Sequence, residues 1–213
     1  MRLILLLALL LAAAPSTAAT LRVGPGERLA RPSEAARVAR PGDRVVIAPG
    51  LYRDCAIWRT PDLTIEAGPG GEVVITGPIC AGKGLFVIAA PRVTVSGLTF
   101  RGAAFPGGNA AGIRAEGGDL RILRARFEDN QNGVLTKHAM QAFTLAIEDS
   151  VFVGNGALIH ECAHGIYAGN WALVAIRRTR FEGTRVCHHV KSRAARTEIE
   201  ESAILDTPGN QTS

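Results

Sequence analysis

Four short stretches carry polar, chemically capable side chains at matching places. Gly165–Asn170 reads Gly-Ile-Tyr-Ala-Gly-Asn and His189–Ala194 reads His-Val-Lys-Ser-Arg-Ala. Gly112–Gly117 and Gly133–His138 fit the same frame. In each, an aliphatic residue is followed two places on by a small one (Ala115, Thr136, Ala168, Ser192). That is strand alternation, in which the intervening residues point outward. Stacked in register, the outward members are Gly112, Arg114, Glu116; Gly133, Leu135, Lys137; Gly165, Tyr167, Gly169; and His189, Lys191, Arg193. Adjacent strands lie about 4.8 Å apart, so Tyr167 falls beside Lys191 and Gly169 leaves a notch between Lys137 and Arg193. His164 and His188 precede their strands at equivalent positions, and His138 stacks near Asn170. Cations this close cost stability unless something anionic binds between them. For any single residue, a solvated face with splayed side chains is an equal alternative; the cluster as a whole points to function.

Such a surface needs a scaffold that repeats. Each polar stretch is followed by a second strand and a turn: Phe127–Glu128–Asp129–Asn130, Phe152–Val153–Gly154–Asn155, Phe181–Glu182–Gly183–Thr184 and Ile204–Leu205–Asp206–Thr207. The spacings are 25, 29 and 23 residues, and Phe100 lies 27 before Phe127. An imperfect repeat of that period, built from short strands and Gly/Asn turns, predicts a solenoid. Aromatics make up only 5% of the chain while Gly is 24, which suits a narrow stacked interior with tight corners. Two linkers are longer than their counterparts, Gly102–Ala111 and Gly156–His164, and are expected to project beside one face, where loops often carry function.

The N-terminus reads as a secretory signal over residues 1–19: Arg2, an apolar run from Leu3 to Ala14, then Thr17–Ala18–Ala19. The run is too short to span a bilayer, and no second one follows. The expected product, residues 20–213, is periplasmic or secreted, with no membrane span after cleavage. Removal of residues 1–19 takes away Arg2 and no acid, so the formal charge falls from +5 to +4. Lys and Arg are scattered, without a polybasic run or aromatic stacking partners, which argues against nucleic acid. An exported basic protein more plausibly meets an acidic polymer such as a uronic-acid polysaccharide.

The four cysteines fall in two pairs of equal separation: Cys55 and Cys80 are 25 apart, as are Cys162 and Cys187. One solenoid turn separates each pair, and an oxidising compartment permits disulfides, so Cys55–Cys80 and Cys162–Cys187 are expected to bridge. Buried free thiols are the competing reading. None of the spacings resembles a zinc site, and His160, Glu161 and His164 form no recognised ligand set, so no metal is assigned.

The run Val23–Gly24–Pro25–Gly26, a short helix over Ser33–Ala39, Pro41–Gly42–Asp43, Val46–Ile47–Ala48–Pro49–Gly50 and Tyr52 resembles the N-terminal cap and first rung of right-handed parallel β-helix proteins of the pectin-lyase-like kind. Val93–Phe100 (Val-Thr-Val-Ser-Gly-Leu-Thr-Phe) is similar to a common rung of that fold, and the resemblance covers essentially all of residues 20–213. It implies an all-β, right-handed parallel β-helix solenoid with a short N-terminal capping helix. The chain ends at Thr207–Ser213 without a cap, so C-terminal rungs are expected to be missing.

The resemblance also gives the chemistry a direction. Many secreted β-helix proteins cleave or epimerise acidic polysaccharides by removing the proton next to a sugar carboxylate. That chemistry needs cations to neutralise the carboxylate and a base near the proton. Arg193 and Lys137 would neutralise; Lys191 or Tyr167 would be the base; His189 would return the proton. Arg114, His164 and His188 complete the substrate-binding set. A β-eliminating lyase on a uronate polysaccharide is the first expectation and a C5-epimerase its variant. A non-catalytic β-helix that binds glycan or a protein is the alternative. Calcium-dependent members carry clustered acids on this face; here Glu116 stands with, at most, Glu161, which argues against calcium, and no cofactor is assigned. The paired carboxylates of glycoside hydrolases are not found either. The sequence leaves the oligomeric state open.

Overall fold

The computed structural model describes residues 18–138, 141–158 and 162–206. The expected signal segment lies almost wholly outside them, as do His160, Glu161 and residues 207–213. The described chain winds into a parallel β-solenoid of about seven turns, a right-handed parallel β-helix with one short helix near its N-terminus. Three parallel sheets form its walls, of eight, six and seven strands, each strand pairing with its equivalent one coil away. Among the described residues, no helix is long and apolar enough to cross a membrane.

The helix covers Pro32–Val38 and sits at the N-terminal end, as the sequence predicts. Asp54 holds it there by accepting the Ser33 N–H at 2.8 Å. Pro32 suits the first turn because its missing N–H has no intrahelical partner there.

Ladders of like residues fill the coil. Phe100, Phe127, Phe152 and Phe181 stack with ring centroids 5.3, 4.5 and 4.8 Å apart, each essentially buried. Beside them, the Asn130 amide donates to Phe100 O at 2.9 Å and to Asn155 Oδ1 at 3.0 Å. The Asn155 amide in turn donates to Phe127 O at 2.9 Å. Each amide thereby satisfies backbone that the corner would otherwise leave buried and unpaired. These asparagines were visible in the sequence only as turn residues.

The corners explain where simple alternation fails. Gly97, Arg124, Asp149, Arg178 and Glu201 each adopt positive φ at the equivalent corner of successive coils. The Val93–Phe100 run is therefore two strands, Val93–Ser96 and Leu98–Arg101, broken at Gly97 with φ +71°. The left-handed region suits glycine there, because a side chain meets the following carbonyl.

Candidate functional site

The six-stranded wall consists of Ala56–Trp58, Gly84–Ile88, Ala111–Ala115, Asn132–Thr136, Ile166–Ala168 and Val190–Ser192. Its register places Ile57, Val87, Arg114, Leu135, Tyr167 and Lys191 in one column. Tyr167 and Lys191 are direct partners, as expected, and Ala168 pairs with Ser192.

Tyr167 is the centre of the site. Lys191 Nζ lies over its ring, 4.5 Å from the centroid, and the Arg193 guanidinium is 5.7 Å away. The His138 and His164 rings meet it edge-on at 5.0 and 5.3 Å. Half-buried Tyr167 lines a pocket of about 240 Å³ with Arg114, Asn109, Leu135, His138 and Cys162. Among the described residues, no carboxylate pairs with Lys137, Lys191 or Arg193. The charges further up the wall are compensated. Arg114 Nε is 3.4 Å from Glu116, Arg114 also donates to Asn109 Oδ1 at 3.2 Å, and Lys83 takes the other Glu116 oxygen at 2.8 Å. Burial pulls the Arg114 guanidinium below its ordinary pKa, with Glu116 opposing.

The loops around the pocket are anchored by residues the sequence reading passed over. Gln131 Oε1 accepts the N–H groups of Phe105 and Ala110, each at 3.1 Å, and Gln131 Nε2 donates to Phe105 O at 2.9 Å, fixing the 102–110 loop. Asn132 Oδ1 accepts the His164 N–H at 3.0 Å and fixes the second loop. Both cysteine pairs are disulfides, Cys55–Cys80 and Cys162–Cys187, so the free-thiol alternative is excluded. The second ties this loop to the next coil. Such bonds fit an oxidising compartment and a secreted protein.

Three histidines meet different fates. His164 is fully buried, and its pKa falls to about 4, through desolvation first, then the charges of Lys191 and His188. His188 is exposed; its backbone N–H reaches His164 Nδ1 at 3.2 Å, and its own Nδ1 lies 3.3 Å from that atom. His189 is not brought beside Tyr167. It is buried between Thr184 Oγ1 and Asp206 Oδ1, each at 2.7 Å, and lines a separate pocket with Ile199 and Ile204. It precedes the regular strand, so alternation does not carry back to it.

Two further expectations change. Gly112 and Gly133 turn toward the interior: a Cβ would meet Phe127 at 2.9 Å and Phe152 at 2.7 Å respectively. Gly165 lies against His189 O, where a Cβ would approach to 2.5 Å. Gly169 leaves no notch, because its backbone packs on the Lys137 carbonyl, 2.6 Å from where a Cβ would stand. The His138 backbone lies against Gly169, next to Asn170, and its ring meets Tyr167 edge-on.

No family model and no curated protein matches the chain. Among solved structures, it is similar to a pectin methylesterase in complex with hexasaccharide VII, at 14% identity and a TM-score of 0.51, covering 92% of this chain and 68% of that one. A pectin methylesterase mutant in complex with hexasaccharide IV matches at 14% identity and TM-score 0.50, covering 89% and 67%. Pectin methylesterase PemA from Erwinia chrysanthemi matches at 12% identity and TM-score 0.47, covering 80% of this chain and 56% of that one. The chain thus spans just over half to about two thirds of their lengths. At these identities the likeness identifies the fold alone, a right-handed parallel β-helix.

Proposed function

We propose that this chain is a secreted or periplasmic polysaccharide-active β-helix protein that acts on a uronate polymer by β-elimination, with C5-epimerisation as the variant outcome. The observation that carries the reading is the pair of cations, Lys191 and Arg193, over the Tyr167 ring, with no carboxylate partner among the described residues. A uronate supplies the anion they lack, and neutralising its carboxylate stabilises the charge that develops when the adjacent C–H bond breaks. Tyr167, or Lys191 in its neutral form, takes that proton, and Arg193 and Lys137 hold the carboxylate. In elimination, the C5–H and C4–O bonds break, a C4=C5 bond forms, and the proton leaves on the departing oxygen. In epimerisation a proton returns to the other face of the sugar. His138, at the ring edge, is better placed to return it than His189, which Asp206 and Thr184 hold elsewhere.

Two structural neighbours are complexes with hexasaccharides, which supports an extended sugar chain as the ligand of this fold. Ester or glycoside hydrolysis is less well supported, since Glu116 is already shared by Arg114 and Lys83. The test is incubation with alginate, polygalacturonate and glycosaminoglycans, following ultraviolet absorbance of the unsaturated uronate and sugar configuration by NMR. Product from one polymer is expected; absence of both product and epimerisation from all removes the reading.

A binding-only function is the second reading, favoured by the cations lying directly over Tyr167 rather than leaving its ring open. It predicts that Lys191→Ala and Tyr167→Phe weaken binding of a glycan or protein with no turnover to lose.

A further inference from the structure

The Cys162–Cys187 bridge differs from the other disulfide in its company. Ligand atoms of Cys162, His164 and Cys187 all lie within 4.8 Å of one another, and no comparable group surrounds Cys55–Cys80 among the described residues. Cys187 and His164 are buried, so the cluster is shielded on that side. A structural imidazole at such depth ordinarily bonds through both nitrogens. His164 bonds only through Nδ1, and its Nε2 is buried with no partner among the described residues. The His164 and His188 Nδ1 atoms face each other at 3.3 Å.

We propose that reduction of Cys162–Cys187 converts this cluster into a site for one soft cation, Zn2+ or Cu+, held by Cys162, His164 and Cys187. Exposed His188 supplies the fourth ligand by turning its side chain. A dithiol reductant supplies the two electrons and two protons that turn the disulfide into two thiols, and leaves as its own disulfide. Metal binding then displaces the thiol protons to solvent. Two thiolates balance a divalent charge, and thiolate with imidazole is the donor set that soft and borderline cations prefer. The ligands pair as Cys-x-His and Cys-His on neighbouring coils, a spacing recognisable only once the coils are stacked.

The test is anaerobic titration of chelator-treated, reduced protein with Co2+ as a spectroscopic stand-in. One Co2+ per chain is expected, with thiolate-to-metal charge-transfer bands and tetrahedral visible bands, displaced by Zn2+ or Cu+. Oxidised protein should show no thiolate bands. His164→Gln should weaken Co2+ by about 100-fold or more, since loss of even an outer-shell partner costs 10–100-fold. A Cys55→Ser/Cys80→Ser variant should bind as the parent does. Should reduction unfold the coil by circular dichroism, Cys187→Ser decides without reductant: it keeps the Cys55–Cys80 bridge and leaves Cys162 free beside both histidines, so its single thiolate should still give a Co2+ band. Absence of thiolate bands in both the reduced protein and folded Cys187→Ser overturns the proposal, as does binding that persists in His164→Gln.

Discussion

Two kinds of wall are built on one backbone. On the eight- and seven-stranded walls, charges on adjacent coils pair off: Arg44 with Glu66, Arg121 with Glu148 at 3.0 Å, Arg101 with Glu128 at 2.6 Å, and Arg177 with Glu200 at 3.1 Å. On the six-stranded wall, the column starts apolar at Ile57 and Val87, passes through the compensated Arg114, and ends at Tyr167 and Lys191, where no acid pairs with the lysine among the described residues. Both are built of parallel strands one coil apart, and they differ in their outward side chains and in the loops that border the six-stranded wall. Exposed ion pairs contribute little stability, about 0–1 kcal/mol each. Their omission therefore costs the fold little and leaves Lys191 and Arg193 without a carboxylate partner among the described residues. The disulfides differ in the same way: Cys55–Cys80 sits under the apolar start of the wall, and Cys162–Cys187 borders the cationic end.

The largest effect is expected from removing the lysine over Tyr167. Lys191→Ala should lower turnover on the preferred uronate by about 10²–10³-fold, the usual cost of losing one charge-stabilising group, with the melting temperature nearly unchanged. Equal loss from Arg121→Ala would show that the walls do not differ. Shared scaffold should respond differently. Phe152→Ala opens the ring stack and should cost about 3–5 kcal/mol in denaturant unfolding. Asn155→Ala strands backbone carbonyls at two corners and should cost about 1–3 kcal/mol by the same measurement. Smallest is Arg121→Ala itself, expected within about 0.5 kcal/mol of the parent in stability and equal to it in activity.

Much of this architecture was legible because a solenoid repeats. The spacing of Phe127, Phe152 and Phe181 fixed the coil length, which carried both cysteine pairings and the Tyr167–Lys191 register. Inferences failed where alternation was run past the end of a strand. Val190–Ser192 is three residues long, so parity holds for Lys191 and says nothing of His189. Alternation also failed inside strands at Gly112 and Gly133, where a Cβ would meet a phenylalanine ring. The anchoring by Gln131 and Asn132 was not legible, since an amide that clamps a loop looks in sequence like any turn residue. The equivalence of His164 and His188 and the Cys162–Cys187 pairing were legible, whereas the complete burial of His164 beside them was not.

The central claim is that the Tyr167 end of this wall recognises the carboxylate of a uronate. The most direct measurement is calorimetric binding of one oligogalacturonate in two forms, with free carboxylates and fully methyl-esterified, at low and moderate salt. The account predicts tighter binding of the charged form by at least about tenfold, weakened by salt and abolished in Lys191→Ala/Arg193→Ala. Equal affinity for the two forms, or a preference for the charged form that survives the double substitution, would contradict it.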